Sequence, residues 1–307
     1  MKPFIFCMTV NCSKITSVML KSFHEHHPDD EINVVGTPKD FDELGSIGKH
    51  PHTKLIDISA DTALMQKFKQ GHSGTMSIFA MVIQKHFGGN YDSFIHIDGD
   101  VFLKRNCVES VEKAFADGYD IVGTRRCYGN NPSGIKGLDK FPDTISTFFF
   151  GMKLEKIPQY TFNALCSYCT GAAHPLGWLV LDCFDGVTHG AINNGASVFF
   201  LDQNEFGSQD IHGKKNNNYI TNLHMDCGSH LIHFGGVGSG YAYFYGITTP
   251  ELGYAKWACG RWSLFSKLFY DTNIGHNEAA VYGPDGRWIN GGYDENIMTN
   301  LLKDMKS

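Results

Sequence analysis

Two aspartates separated by one glycine follow an apolar run, and they are the residues of this chain best suited to chemistry: Asp98, Gly99 and Asp100. In an extended segment, side chains two residues apart point to the same face, about 6.5–7 Å apart. Two like charges held so close are costly unless a cation lies between them. A residue without a side chain also lets a bulky ligand approach the backbone. The pattern therefore predicts a hard divalent ion that also holds a diphosphate.

The same three residues are also an ordinary turn sequence, in which the two carboxylates would only be solvated. The neighbouring residues favour the metal site, because Ile95 and Ile97 precede the pair and apolar residues return at once with Val101. A solvated turn is seldom so closely enclosed. We therefore interpret the two aspartates as metal ligands.

A glycine-rich run at residues 235–240 is the second feature with chemical potential. Glycines allow backbone N–H groups to approach an anion, and the Ser239 hydroxyl can donate a hydrogen bond to a phosphate oxygen. A flexible loop explains the same composition equally well. The run does not match Gly-x-Gly-x-x-Gly after a first strand, so a Rossmann dinucleotide site is not indicated.

Alternating strand and helix patterns in the first 124 residues must position the aspartates. Apolar runs typical of buried strands alternate with helical spacing of apolar residues. We predict strands at residues 4–10, 31–36, 55–58 and 120–123, and a strand followed by the Asp-Gly-Asp turn within 91–103. We predict helices at 13–26 and 108–116, a helix-rich stretch at 61–87 that is interrupted near 71–74, and a loop at 37–53. Such alternation predicts a mainly parallel α/β sheet flanked by helices, which binds ligands at the carboxyl ends of its strands.

The second half of the chain has a mixed pattern. Strands are predicted at residues 144–154, 178–184, 198–201 and 229–234, and residues 250–307 are predicted to be mainly helical. No internal repeat and no linker between independent units is visible in the sequence. We therefore expect one domain over residues 1–307.

The composition of this 307-residue chain, with 42% hydrophobic and 19% charged residues, is that of an ordinary soluble globular protein. The net charge of −6 argues against a broad nucleic-acid footprint. The nine cysteines are odd in number and lack a pattern, which predicts reduced thiols and a cytoplasmic location. The single Cys-x-x-Cys, at residues 166–169, lacks the second pair that a zinc site would need. No run of about 18 apolar residues is present, so no membrane span is expected.

The order of these features resembles the GT-A glycosyltransferases, most clearly over residues 3–105 and 229–240. The resemblance rests on an N-terminal strand, alternating strands and helices, an apolar strand that ends in Asp-x-Asp, and a late His-Gly-rich turn. It implies a GT-A fold with a Rossmann-like sheet, and transfer of a sugar from a nucleoside diphosphate sugar, here a UDP-sugar, to an acceptor hydroxyl. By position, Asp98 and Asp100 would hold Mn²⁺ or Mg²⁺ against the diphosphate, and His233 would be a third ligand.

The resemblance further implies a division of labour along the chain. Residues 1–124 would bind the nucleotide sugar, residues 125–249 would form the acceptor side, and residues 250–307 would be a helical extension. Donor-binding residues would lie at the end of the first strand, just upstream of the metal-binding strand, and in the two glycine-containing turns. They are Thr9, Asn11, Ser73, Gly74, Gly99, Gly236 and Ser239.

An inverting transferase also needs a carboxylate base near the acceptor hydroxyl. We prefer Asp182, because it ends an apolar run and acceptor-side catalytic groups lie at such a place in the family. Other candidates are Asp185, Asp202, Glu205 and Asp210. We assign Arg125, Arg126 and Trp178 to acceptor binding.

The acceptor itself is left open between a glycan and hydroxymethylcytosine in phage DNA, in which case the enzyme would work in the host cytoplasm. Basic pairs such as Arg125 and Arg126 would supply phosphate contacts to DNA. The net charge of −6 opposes that choice. The sugar, the stereochemistry and the oligomeric state do not follow from the sequence.

Three other functions are compatible with parts of the pattern. A haloacid-dehalogenase-like phosphatase also uses Asp-x-Asp after an apolar strand, but at the first strand. It has a threonine or valine two residues past the second aspartate, where this chain has Phe102. A sugar nucleotidyltransferase would use the same aspartate pair but needs a glycine-rich, arginine-containing loop after the first strand. A carbohydrate-binding module would explain the many aromatic residues but not the enclosed carboxylates.

Overall fold

The structure is a computed structural model of the chain, and it describes the N-terminal half more completely than the C-terminal half. The described residues are 2–10, 12–68, 82–83, 90–126, 144–156, 173–174, 177–178, 188, 191–201, 230–244, 262, 265–266, 269–270, 281–282 and 288–289. They include both aspartates of the predicted metal site and the segment around His233.

Strands and helices alternate through residue 126, as the sequence predicts. The strands are β1 (Phe4–Met8), β2 (Ile32–Gly36), β3 (Thr53–Asp57), β4 (Ser93–Ile97), β5 (Val101–Leu103), β6 (Ile121–Arg126), β7 (Thr144–Lys153), β8 (Ala173–His174), β9 (Gly177–Trp178), β10 (Val198–Phe200), β11 (Leu231–His233), β12 (Val281–Tyr282) and β13 (Trp288–Ile289). The helices are α1 (Ser13–His26), α2 (Pro38–Leu44), α3 (Thr62–Phe68), α4 (Cys107–Ala116) and α5 (Val237–Phe244), with 3₁₀ turns at Ile47–Lys49 and Leu154–Lys156.

The described residues form a seven-stranded central sheet with the strand order β10-β6-β7-β4-β1-β2-β3. Strand β7 runs antiparallel to both of its neighbours, and the other six strands run in one direction. The predicted α/β class with a mainly parallel sheet is therefore confirmed. Strand β4, which leads into the aspartates, lies between β1 and β7 near the middle of this sheet.

Both faces of the sheet are covered, as expected for parallel strands joined by helices. Along β1, Phe4 and Phe6 belong to one buried cluster, and the alternate residues Ile5 and Cys7 belong to another. The second cluster also contains α1 through residues such as Phe23, which is fully buried. The continuous apolar runs of the sequence thus correspond to strands that are buried on both sides.

A third apolar cluster joins α1 to the C-terminal half. Ile15 of α1, Ile232 of β11 and Trp262 are all at most 1% exposed and lie in this cluster. The hydroxyls of Ser17 and Tyr270 lie 2.9 Å apart and add a polar contact between the same two regions. This packing holds β11 against α1.

The prediction of a loop at residues 37–53 is wrong, because α2 and a 3₁₀ turn occupy much of it. Thr37 caps α2: its Oγ1 accepts from the Asp40 N–H at 3.4 Å, and the Asp40 carboxylate accepts from the Thr37 N–H at 2.9 Å. Pro38 occupies the first turn, where its missing N–H costs nothing. The loop-like composition of this stretch concealed a helix start that the reciprocal cap makes stable.

The glycine-rich run also differs from the prediction of a turn, because α5 begins within it at Val237. Val237 is fully buried and Tyr241 packs edge-on against Trp262 at 4.9 Å, so tertiary contacts outweigh the poor helix propensity of glycine. In the C-terminal part, residues 262, 265–266 and 269–270 are helical, and the antiparallel pair β12–β13 was not predicted. Among the described residues, none belongs to a helix with the length and apolar character needed to cross a bilayer.

Candidate active site

The two aspartates lie in a tight turn that joins β4 to β5 at the carboxyl end of β4. The Asp98 N–H donates to the Phe148 carbonyl of β7 at 2.8 Å, and the Val101 N–H donates back to the Asp98 carbonyl at 3.3 Å. The turn that the sequence predicts at these residues is therefore confirmed. The turn brings the two carboxylates together where an extended segment would only have aligned them.

Gly99 is required in this turn by a close approach of α1. A Cβ at this position would lie 2.5 Å from Thr16 Oγ1 and 3.5 Å from the Met8 carbonyl oxygen. The first distance is shorter than any normal contact, so a side chain cannot be added without displacing the turn or Thr16. Thr16 is itself fully buried and donates to the Cys12 carbonyl at 3.2 Å.

Strand pairing brings His233 to the aspartates from the other half of the chain. β11 pairs antiparallel with β5, and His233 lies opposite Val101. The Phe234 N–H then donates to the Asp100 carbonyl at 2.8 Å. The result is that His233 Nε2 lies 3.4 Å from Asp100 Oδ1.

Phe148 fixes the orientation of the His233 ring. The two rings stack with centroids 4.1 Å apart and an interplanar angle of 17°. The His233 side chain is 12% exposed, and its buried Nδ1 has no hydrogen-bond partner among the described residues. The imidazole therefore presents Nε2 to the carboxylates from a fixed plane.

One ligand atom from each of Asp98, Asp100 and His233 lies within 4.8 Å of the other two. The side chains of Asp98 and Asp100 are 37% and 17% exposed, so the cluster is open on the Asp98 side. Two carboxylates and one imidazole form a donor set that suits a divalent ion such as Mn²⁺ or Mg²⁺. The residues present therefore fit a metal ion.

A histidine within β4, two residues before Asp98, contacts this cluster. His96 Nε2 lies 2.9 Å from Asp98 Oδ1, and His96 is 2% exposed. An ionised carboxylate only accepts hydrogen bonds, so the imidazole donates. This contact was not predicted from the sequence, and neither were the approach of Thr16 to Gly99 and the stacking of Phe148 on His233. For His96 a signal was available, because it is a polar residue in a buried strand at the spacing that shares a face with Asp98.

The Cys12 thiol lies close enough to Asp98 and Asp100 for their charges to affect its pKa. Burial raises the pKa of Cys12 to about 12, the charges of Asp100 and Asp98 also raise it, and the hydrogen bond with Thr16 lowers it. The thiol is therefore protonated at neutral pH and is a poor nucleophile. The two aspartates contribute to the raised pKa of Cys12 through their negative charge, which a bound cation would neutralise.

Three buried hydroxyls at the same sheet edge lack hydrogen-bond partners among the described residues. They belong to Thr9, just after β1, to Thr124 of β6 and to Ser146 of β7, which are 0%, 2% and 3% exposed. Buried hydroxyls without partners are costly. Their positions follow from the sheet, because the start of antiparallel β7 lies at the edge where the parallel strands end.

The other predicted site residues are only partly described. Gly236 lies in the turn before α5 with a φ of 81°, a conformation that favours glycine. The backbone, but not the side chain, is described for Arg125, Arg126, Trp178 and Ser239. The residues that lie outside the described part are Asn11, Ser73, Gly74 and Asp182.

Models of protein families and curated protein sequences contain no match to this chain. Comparison with solved structures finds mouse xyloside xylosyltransferase 1, at 12% identity and a TM-score of 0.49, with 75% of this chain and 96% of that chain covered. It also finds the galactosyltransferase LgtC in complex with donor and acceptor sugar analogues, at 13% identity and a TM-score of 0.49, with 80% and 97% covered.

The bifunctional glycosyltransferase WbbM is a further neighbour, at 11% identity and a TM-score of 0.43, with 72% of this chain and 43% of that chain covered. By their names these neighbours are glycosyltransferases. At TM-scores below 0.5 and identities of 11–13%, the likeness assigns no family, substrate or residue role to this chain.

Proposed function

We propose that this protein is a metal-dependent glycosyltransferase that moves a sugar from a nucleoside diphosphate sugar to an acceptor hydroxyl. The observation that carries the proposal is the convergence of Asp98, Asp100 and His233 at the carboxyl end of β4, with ligand atoms within 4.8 Å. Ligands of such sheets bind at this edge. A site of this kind suits a substrate that brings its own phosphates to the metal.

In the proposed reaction, the bond between the anomeric carbon and the diphosphate breaks as the acceptor oxygen attacks. A divalent ion in the site would stabilise the negative charge that develops on the departing diphosphate, which is worth several kcal/mol. Asp98 and Asp100 would neutralise and hold the ion, and His233, stacked on Phe148, would complete its shell from one side. Backbone hydrogen bonds or strand pairing hold the segments that carry all three groups.

The donor would lie across the ends of β1 and β4. The Thr9 hydroxyl, buried without a partner among the described residues, is a candidate hydrogen-bonding group for the nucleotide. The N–H groups in the turn at Gly236 and at the start of α5 suit a phosphate. Asn11, Ser73, Gly74, Gly99 and Ser239 remain proposed donor-binding residues, with a UDP-sugar as the proposed donor.

Acceptor binding is proposed for residues of β6 in the central sheet and of β9 in the separate β8–β9 pair. Arg125, Arg126 and Trp178 would contact the acceptor, and Asp182 would be the base if the reaction inverts configuration. A glycan is the favoured acceptor, because a net charge of −6 opposes tight binding to DNA. Turnover that requires hydroxymethylated duplex DNA and falls with salt would instead select the DNA acceptor.

The described residues lend no specific support to the phosphatase or the nucleotidyltransferase. A phosphatase of that type carries its aspartates after the first strand of the chain, whereas Asp98 and Asp100 follow β4, the central strand.

Thermal unfolding with UDP, in the presence and absence of Mn²⁺, tests the proposal directly. A ligand that binds the native state raises its melting temperature. We expect the rise with UDP and Mn²⁺ together to exceed the rise with either ligand alone, and we expect it to disappear in Asp100→Ala together with sugar transfer. Asp57→Ala is the matched control, because this exposed aspartate ends β3 at the same sheet edge but lies outside the cluster. Full turnover by Asp100→Ala, or by the wild type in excess chelator, would contradict the proposal.

A further inference from the structure

The histidine in the middle of β4 has no role in the catalytic scheme so far. His96 is 2% exposed and lies between the rings of Phe6 on β1 and Phe150 on β7, at centroid distances of 5.0 and 5.6 Å. Both neighbours are its register partners across the sheet. The imidazole is therefore clamped on both sides within the central three strands.

A polar ring at this position carries a cost that packing does not explain. Burying a polar side chain is unfavourable unless its hydrogen bonds are made, and the two flanking rings would accommodate an apolar residue. The bond from His96 Nε2 to Asp98 Oδ1, at 2.9 Å, offsets that cost. Because the acceptor is a carboxylate, the bond is charge-assisted and stronger than a neutral one.

We propose that His96 is a positioning residue that holds the Asp98 carboxylate in its metal-binding orientation; the inference rests on the metal site of the proposed function. Asp98 is the most exposed member of the cluster, with 37% of its side chain accessible, and it lies at a turn. Without a fixed partner its carboxylate would exchange among rotamers and lose that freedom when a metal binds. The hydrogen bond to Oδ1 removes this loss in advance.

The role predicts a specific ranking of substitutions at residue 96. Gln places a side-chain N–H near the position of Nε2 and can reach Asp98, whereas Asn is polar but too short, and Met is apolar with a similar length. We expect His96→Asn and His96→Met to weaken Mn²⁺ binding by about 10- to 100-fold, the range typical of residues that orient a metal ligand. His96→Gln should bind Mn²⁺ nearly as tightly as the wild type.

The measurement is the dissociation constant of Mn²⁺ alone on the full chain, from the electron paramagnetic resonance signal of free Mn²⁺. His24→Gln is the matched control, because His24 is also a buried histidine with an Nε2 hydrogen bond, to Thr53 at 2.8 Å, outside the cluster. A merely structural His96 would make all variants equal in Mn²⁺ affinity once folded, whatever their melting temperatures. That outcome would overturn the positioning role.

The same titration distinguishes failure of the proposed metal-dependent function from failure of the positioning role of His96. If the wild-type chain binds no Mn²⁺, both the metal-dependent function and the role of His96 are refuted. If the wild type binds and His96→Asn binds equally well, only the role of His96 is refuted. Should His96→Met fail to fold, the contrast between Gln and Asn still decides the question, since both keep a side-chain amide.

Discussion

Replacing Gly99 by alanine tests how the aspartate turn is held against α1. The added Cβ would lie 2.5 Å from Thr16 Oγ1, so this pair must separate by about 0.9 Å to reach ordinary contact at 3.4 Å. The next nearest atoms, the Met8 carbonyl oxygen and Thr16 Cβ, are both at 3.5 Å. The conflict is therefore with a single oxygen atom.

The size of the effect follows from three contributions. Gly99 is not among the glycines with positive φ, so alanine adds no backbone strain and would by itself stabilise the chain by about 0.4–1 kcal/mol. Rotating Thr16 away breaks its hydrogen bond to the Cys12 carbonyl, which costs about 1 kcal/mol, and shifting packed atoms instead costs about 1–3 kcal/mol. We expect a net loss of about 1–2 kcal/mol in the free energy of unfolding.

A double-mutant cycle in urea isolates this contact. Thr16→Ala removes the conflicting oxygen, so in the Thr16→Ala background Gly99→Ala should stabilise the chain by about 0.4–1 kcal/mol. Set against the loss of about 1–2 kcal/mol in the wild-type background, this gives a coupling energy of about 2 kcal/mol. Thr16→Val is the control, because a methyl group takes the place of the hydroxyl and the conflict persists. Mn²⁺ affinity, measured alongside, should fall in Gly99→Ala and recover in the double variant with Thr16→Ala.

Two results would refute this reasoning. One is a Gly99→Ala variant as stable as the wild type. The other is equal rescue by Thr16→Ala and Thr16→Val, which would show that the close approach to Oγ1 is not the cause.

Two further predictions concern titratable groups. Burial lowers the pKa of both His24 and His27 to about 4, in the latter case against the opposing charge of Asp30, so the unfolded chain binds more protons between pH 6.5 and 4. Their contribution to stability is complete above pH 6.5 and is lost as the pH falls toward 4, by on the order of 2 kcal/mol each at pH 4.5. Urea unfolding across this range checks the sign, and stability that does not fall below pH 6.5 would contradict it. Cys12, with a pKa raised by burial to about 12, should react with iodoacetamide at pH 7.5 at least about 100-fold more slowly than a free cysteine; peptide mass spectrometry measures this, and a rate equal to that of glutathione would refute it.

The sequence predicted the sheet and the place of the cluster because both follow from local patterns. Buried runs alternating with helical spacing specify a parallel sheet, and Asp98 follows directly from the end of one such run. The match of His233 came from the family resemblance and not from spacing, since its approach depends on the pairing of β11 with β5. Nothing local to residue 233 encodes that pairing.

The contacts that the sequence did not predict are those between residues far apart in the chain. Thr16 under Gly99 depends on how α1 crosses the turn, and Phe148 beside His233 depends on β7 running antiparallel next to β4. The helix α2 was missed for another reason. Its cap at Thr37 was visible, but the glycine- and histidine-rich residues that follow it masked the signal.

The pairing of β5 with β11 gives the cluster a mechanical consequence. Asp100 and His233 come from opposite halves of the chain, and that short ladder brings them together. An ion bound by both Asp100 and His233 would cross-link the two halves of the chain and would slow local unfolding of residues 230–244. Amide exchange and protease cleavage in that stretch should therefore report occupancy of the site without any substrate turnover.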